Sequence, residues 1–451
     1  MTKPVVIAGG GLSGLTTAFY LRRAGIPFRL FEPRKRLGGV MLTEHIDGFT
    51  VEAGPDSWLT SKPWAAQLLR DAGLADQIIG CKEENRKTWI WRNGRLLRYP
   101  EGFQLMVPTS VWAVLKSPLL SVSAKLRMAA EWFRQPVSRG AEDRPVAQFV
   151  ADHFGQEAVD YLAEPLLSGI YGGEPALLSA QAVLPKFVEL ERKYGSVARG
   201  VRKEPAKSTG PAFQALRDGF GKLVETLAVP YDHSAVEAVE PGRVRACGQW
   251  IEASHIVLAG GATPSANALH NTDPELADLL HLVKYSSASV VAMGYHRSDV
   301  KHPLDGFGFL VPKRERHRMT ACTWVSSKWD FRAPVDKALF RCFVGDTAPG
   351  ALDEALAGIK NYMGVTAEPI FTRVYQWPDS MAQYHVGHKQ RVEQIESRVA
   401  RIPGLHLLGN AYHGIGIPDC VREAKRCAEA IAIDRSTRIE STVLRDPDPA
   451  P

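Results

Sequence analysis

Residues 4–25 carry the feature that most restricts this chain. Pro4-Val5-Val6-Ile7-Ala8 is a β-branched apolar run ending in glycine, and Leu15 to Arg23 has helical spacing closed by Gly25. Between them lies Gly9-x-Gly11-x-x-Gly14, with Leu12 and Ser13 filling the turn. Glycines at this spacing let the backbone turn tightly, approach a pyrophosphate and pack the helix on the strand, so the helix N-terminus faces the phosphates. Phe28 to Phe31 predicts the next strand, and Glu32 stands at its end, where an acid would hold ribose hydroxyls. A chance glycine-rich turn would not come with that strand and that acid. The fold class expected is therefore mixed α/β, built on a Rossmann-type nucleotide-binding domain.

The residues that follow, Glu32-Pro33-Arg34-Lys35-Arg36-Leu37-Gly38-Gly39, favour FAD as the dinucleotide. An arginine supplies charge to the pyrophosphate, and the Gly38-Gly39 doublet lets backbone come close. The competing reading is an exposed basic turn. A second tight turn follows in Val51-Glu52-Ala53-Gly54-Pro55-Asp56. Near the other end, Leu405 to Leu408 predicts a strand, Gly409-Asn410 a turn, and Cys420 to Ile433 a helix beginning just after Gly416, Ile417 and Pro418. The N-terminal dipole of such a helix would stabilise negative charge on a reduced flavin, although an ordinary βα connection reads similarly.

With 451 residues, 45% of them hydrophobic and 23% charged, the chain has the material for about three structural units, and disorder and collagen are excluded. Fifty-five Lys+Arg against 49 Asp+Glu leave +6, too small an excess for a nucleic-acid binder. Six scattered cysteines without a C-x-x-C pair suggest reduced thiols and a cytoplasmic setting, and no histidine spacing suggests a metal. Residues 4–21 are uncharged, yet glycines and polar residues break them up too often for a membrane span.

The middle of the chain departs from this pattern. Val111 to Phe133 mixes apolar residues with Lys116, Lys125 and Arg127, with Arg134 just beyond, which suits helices edged by basic charge. That surface would suit an anionic membrane, and an ordinary helical domain would look the same. Lys186 to Lys207 reads as an exposed mobile loop, and residues 438–451 as a disordered tail.

The Gly9 fingerprint, Glu32, the Arg36 and Gly38-Gly39 segment and Glu52-Ala53-Gly54-Pro55 resemble the flavin oxidases that include amine oxidases, phytoene desaturases and protoporphyrinogen oxidases. Phe213-Gln214-Ala215-Leu216 with Gly219 to Leu223, and Ile256 to Ala259 with Ala262-Thr263-Pro264, resemble later parts of the same fold. Gly409 to Cys420 closely resembles the bacterial oxygen-dependent protoporphyrinogen oxidases, as do Tyr375-Gln376-Trp377-Pro378, Gln383 to His388 and Glu164 to Gly173.

The resemblance implies a nucleotide domain assembled from residues 1–82, 211–275 and 373–437, a mixed-sheet substrate domain from 83–102 and 276–372, and a helical insertion over 103–210 that contacts the membrane. Cofactor contacts would come from Gly9, Gly11, Leu12, Ser13, Gly14, Glu32, Arg34, Arg36, Gly38 and Gly39, then from Gly54, Pro55, Asp56, Val236, Trp377, Gly409, Asn410, Gly416 and Ile417. Arg86 and Gly169 would meet the substrate, and the aromatic strands nominate Phe309 and Trp324 as walls of its slot. No acid or base is assigned.

The implied reaction is six-electron oxidation of protoporphyrinogen IX by molecular oxygen with non-covalent FAD, at or near the inner face of the cell membrane, with hand-off to ferrochelatase. Coproporphyrinogen III is the alternative substrate. A carotenoid or amine oxidase of the same fold, or a flavin-binding protein without turnover, also remains open.

Overall fold

The computed structural model describes residues 3–136, 142–205 and 210–443. Its nucleotide-binding core is a four-stranded parallel sheet in the order Phe28–Phe31, Val5–Ala8, His255–Leu258, Leu405–Leu407. These strands come from three widely separated stretches of chain. The two central strands, Val5–Ala8 and His255–Leu258, are short and buried because both faces are covered, as parallel sheets require, while the edge strand Phe28–Phe31 leaves Arg29 exposed. Helix Leu12–Arg23 packs on one side against the long helix Ile417–Val443, around a core containing Leu15, Leu30, Leu223 and Val421. The opposite side buries Val6, Ile256 and Leu258 with Leu269 and Leu276.

A second, seven-stranded sheet runs in the order Phe371–Gln383, Lys284–His296, Lys337–Val344, Met319–Trp324, Gly308–Leu310, Thr88–Arg92, Arg95–Arg98. Neighbours are antiparallel except Gly308–Leu310 and Thr88–Arg92, which run parallel. The 88–98 hairpin thereby joins strands more than two hundred residues later in the chain. A helical portion follows the hairpin and has its own core, including Met128, Phe149, Phe154, Leu162 and Leu190.

Two expectations for the ends of helices are corrected here. Lys186 to Lys207 is not a loop over its described part: helices Pro185–Tyr194 and Val197–Lys203 bury Phe187, Leu190, Val197 and Val201, and the apolar stripe outweighs the basic residues beside it. Residues 206 and 207 lie outside the described residues. The 438–451 tail is helical through Val443, as a continuation of the last helix, and the remainder lies outside the described residues.

Among the described residues no helix is long and apolar enough to cross a membrane. Trp112, Val122, Leu126 and Phe133 nevertheless stand largely exposed on the helical portion.

Candidate functional site

One cavity of about 1620 Å³ runs from the glycine-rich turn to the helical portion. Single small-molecule sites occupy roughly 300–1,000 Å³, so this space suits two ligands end to end.

At the nucleotide end the wall is Gly9, Gly11, Leu12 and Ser13, with Glu32 and Arg34 beside them and Gly38 and Gly39 opposite. Glu32 is buried and accepts the Gly10 amide at 2.7 Å and the Arg34 amide at 2.9 Å, which fixes the acid at the strand end. Gly14 does not line the cavity. A Cβ there would stand 1.9 Å from the Gly9 carbonyl oxygen, so its role is to let the helix sit on the turn. Arg36 likewise lies off the wall. It donates to the Leu37 and Gly39 carbonyls at 3.2 and 2.6 Å, which tightens the glycine loop, and lies over the Trp377 ring at 5.8 Å.

The next stretch is built by Gly54, Pro55 and Asp56. Gly54 is required by crowding, since a Cβ would meet the Val40 carbonyl oxygen at 2.0 Å. Asp56 faces Lys328 at 3.2 Å and Arg341 at 3.5 Å. Burial alone would raise the Asp56 pKa, but these two cations and the Ser57 hydroxyl more than cancel it and hold the carboxyl well below the usual range. Arg341 is 2% exposed, donates to the Gly54 carbonyl, and leaves its Nε without a partner. Behind them Glu52 accepts from the Thr43 hydroxyl and the Phe220 amide and faces Arg332 at 3.5 Å. Burial pushes Glu52 up and Arg332 down, each toward its neutral form, and their mutual attraction opposes this.

Val236, Trp377, Gly409, Asn410, Gly416 and Ile417 complete this part of the wall. Trp377 is held by its indole N–H, which donates to the Ala53 carbonyl at 2.8 Å. The Gly409 to Gly416 turn is held from beneath by Tyr384, whose hydroxyl donates to the Asn410 carbonyl and accepts the Gly414 amide, both at 2.8 Å. His388 stacks on Tyr384 with ring centroids 3.8 Å apart. Burial lowers the His388 pKa to about 4, so this support is uncharged at neutral pH. The turn delivers the start of helix Ile417–Val443 to the cavity, where the helix dipole favours negative charge.

At the far end Gly169 lines the cavity, with Ser168, Ile170 and the carboxylates Asp160, Glu164 and Glu174. Cations enter the same wall at Lys313, Arg314 and Arg316, while Lys62 lines the cavity next to Asp419, 2.5 Å away at the start of the last helix. None of them was singled out from the sequence, and each lies in a segment whose neighbours give no local signal.

Three nominated substrate residues lie elsewhere. Arg86 is not part of the cavity wall; its side chain is about half exposed and pairs with Glu83 at 3.3 Å. Phe309 and Trp324 are 1% and 0% exposed and pack with Tyr362, Phe340 and each other in the core of the seven-stranded sheet. Phe309 pairs with Cys322 and Trp324 with Phe340, which puts both on the sheet face opposite Arg341, the strand neighbour of Phe340 that lines the cavity. Among the described residues no three His, Cys, Asp or Glu converge as a metal site would require.

Residues 12–432 match the family described as flavin containing amine oxidoreductase. The chain is 32% identical to the coproporphyrinogen III oxidase of Bacillus subtilis (strain 168), an alignment that covers 94% of this chain and 96% of that one. It is 24% identical to the mitochondrial protoporphyrinogen oxidase of Nicotiana tabacum, over 95% of this chain and 94% of that one. A solved structure from Exiguobacterium sp. 255-15 that carries a protoporphyrinogen oxidase name superposes with a TM-score of 0.84 at 30% identity, covering 96% of this chain and 99% of that one.

Proposed function

The chain belongs to the flavin containing amine oxidoreductases, with FAD as cofactor and relatives named for porphyrinogen oxidation, and from that premise we propose that it oxidises coproporphyrinogen III to coproporphyrin III. The sequence alone put protoporphyrinogen IX first. The Bacillus subtilis relative, at 32% identity against 24% for the Nicotiana tabacum one, favours the alternative. The observation that carries the reading is the row of cations Lys313, Arg314 and Arg316 on the cavity wall, held there by Glu174, Asp160 and Glu164, with Lys313 and Arg314 exposed enough to be offered to a substrate carboxylate. A substrate with four carboxylates needs such charge more than one with two.

The residues present fit FAD. Glu32 is fixed where ribose hydroxyls would lie, the backbone at Gly9, Gly11 and Gly39 is open to a pyrophosphate, and the helix beginning at Ile417 faces the place of the isoalloxazine ring. When bound, FAD supplies a two-electron acceptor that molecular oxygen regenerates. Loss of six electrons and six protons from the porphyrinogen then corresponds to three oxygen molecules reduced to three of hydrogen peroxide. The chain's part is placement. In this reading Trp377, Gly409 and Asn410 would bound the flavin end and Gly169 and its neighbours the tetrapyrrole end. Aromatisation drives the reaction, and no acid or base is assigned.

The test is anaerobic reduction of the purified yellow protein by each porphyrinogen, followed by porphyrin fluorescence in air. Faster bleaching and turnover with coproporphyrinogen III, at about three oxygen molecules per porphyrin as the six-electron balance requires, is the expected outcome. Preference for protoporphyrinogen IX overturns the choice of substrate, and a flavin that neither porphyrinogen bleaches overturns the enzymatic reading.

Peripheral membrane contact is part of this proposal. Trp112, Val122, Leu126 and Phe133 expose apolar surface next to Lys116, Lys125 and Arg127, a combination that suits an anionic bilayer. Co-flotation with phosphatidylglycerol vesicles and not with phosphatidylcholine vesicles is expected, and flotation with neither removes this part.

A further inference from the structure

The loop between strands Gly308–Leu310 and Met319–Trp324 carries Lys313, Arg314, Arg316 and Arg318, and the first three line the cavity. Three carboxylates of the helical portion meet them on that wall. Lys313 Nζ lies 2.6 Å from Glu174, Arg314 Nη1 lies 2.9 Å from Asp160, and Arg316 Nη1 lies 2.7 Å from Glu164.

The three pairs differ in kind. Arg316 and Glu164 have side chains 15% and 11% exposed, and Glu164 also accepts the Lys313 backbone amide at 2.9 Å. That pair fixes the loop. Glu315 reinforces it by accepting the Asn93 amide and the Tyr161 hydroxyl, both at 2.8 Å. The Lys313 and Arg314 side chains, by contrast, are 58% and 59% exposed. Glu174 is 56% exposed and Asp160 24%, and pairs that reach solvent contribute about 0–1 kcal/mol, so these cations exchange carboxylate partners at little cost, Lys313 more readily than Arg314. Asp160 itself sits in the π-helical turn Val159–Ala163, a local widening of the helix that recurs at functional sites.

We propose that Lys313 and Arg314 are the specificity-determining residues that distinguish a tetracarboxylate porphyrinogen from a dicarboxylate one. Asp160 and Glu174 neutralise them while the cavity holds no substrate, and two propionates of the substrate displace those carboxylates. Arg316 with Glu164 holds the loop at the right height throughout. The inference rests on the porphyrinogen reading and adds to it the residues that count carboxylates.

The experiment is steady-state kinetics of the FAD-loaded enzyme on coproporphyrinogen III and protoporphyrinogen IX, comparing wild type with the double variant Lys313→Gln/Arg314→Gln. Flavin absorbance per protein reports that each variant folds. For coproporphyrinogen III, KM is expected to rise roughly 10-fold or more with kcat nearly unchanged, the size expected for lost charge-assisted hydrogen bonds. For protoporphyrinogen IX the rise is expected to stay below about 3-fold. The variant Asp160→Asn/Glu174→Gln should move KM for coproporphyrinogen III the other way, because it removes the competing carboxylates, and Lys313→Arg/Arg314→Lys should restore the wild-type ratio. Equal losses on both substrates, or unchanged KM values in a flavin-loaded variant, overturn the proposal. A wild-type enzyme that prefers protoporphyrinogen IX defeats the proposed substrate instead, and the ratio of the two KM changes still judges the loop.

Discussion

The indole N–H of Trp377 donates to the carbonyl of Ala53 at 2.8 Å and so pins a strand of the second sheet to the turn that precedes Gly54. Arg36 lies over the same indole, 5.8 Å from the ring centroid, and ties in the glycine loop as well. Trp377→Phe keeps the ring and removes the bond. About 1 kcal/mol should be lost, seen as a few-fold weaker FAD affinity in a fluorescence titration, while Trp377→Ala should lose the ring contact too and weaken binding further.

Gly14→Ala tests the close approach of the first helix. A methyl group 1.9 Å from the Gly9 oxygen forces helix and turn apart, at a cost of about 1–3 kcal/mol. The expected result is a protein that purifies largely without its yellow colour and unfolds at lower urea. Gly11→Ala is the useful contrast, because a Cβ at Gly11 meets nothing within 4 Å in the protein and extends only toward the cavity. It should spare stability in the flavin-free protein and weaken FAD binding alone.

Removing Arg341 leaves Asp56 with Lys328 as its remaining close cation. Arg341→Met should destabilise the protein by less than the roughly 3–5 kcal/mol seen when a buried charge is left unpaired, because Lys328 still faces Asp56 at 3.2 Å. Asp56 now has a folded pKa below its unfolded one, so it contributes stability above the unfolded pKa that is lost as pH falls through the folded pKa. In Arg341→Met the Asp56 pKa rises toward its ordinary value, and less of that stability remains at neutral pH. Urea unfolding of wild type and variant from neutral pH down to about pH 2 checks this, because the wild-type contribution is lost only below the ordinary Asp value of about 3.9.

Glu191 provides a second pH test in a different place. Burial would raise its pKa, but His153 at 3.1 Å and Arg144 at 2.7 Å hold it down to about 2. Its stabilising contribution is complete above the unfolded value and disappears between about pH 4.5 and pH 2. Glu191→Gln should flatten that part of the stability profile and lower stability at neutral pH, as followed by far-UV circular dichroism of the helical portion.

What could be read from the sequence was whatever one short segment encodes. Gly9 to Gly14 and Glu32 announce themselves because strand, turn, helix and acid are consecutive, and Gly409 to Ile417 does so for the same reason. Gly169 was found through a resemblance alone. Arg86 offers a guanidinium beside a strand at a position that resembles the family's propionate contact, but Glu83 satisfies that charge three residues away. Arg341 was missed inside Leu339-Phe340-Arg341-Cys342-Phe343, although a lone arginine in an otherwise apolar strand was a usable sign of a buried partner. Lys313 and Arg314 had no such sign. Their meaning depends on Asp160 and Glu174, which only the tertiary fold brings opposite them.

The order of strands also dictates when this protein can exist. Thr88–Arg92 finds its neighbour only when Gly308–Leu310 has been made, and Val5–Ala8 waits for His255–Leu258, which in turn waits for Leu405–Leu407. During synthesis the first third of the chain therefore emerges with sheet edges it cannot cover, exposed to aggregation for as long as the ribosome takes to reach the rest. A chain stopped before residue 405 keeps the entire Gly9 fingerprint and still lacks the edge strand and the helix start that close the pocket over it. Saturating FAD in the growth medium would then rescue finished chains and do little for truncated ones.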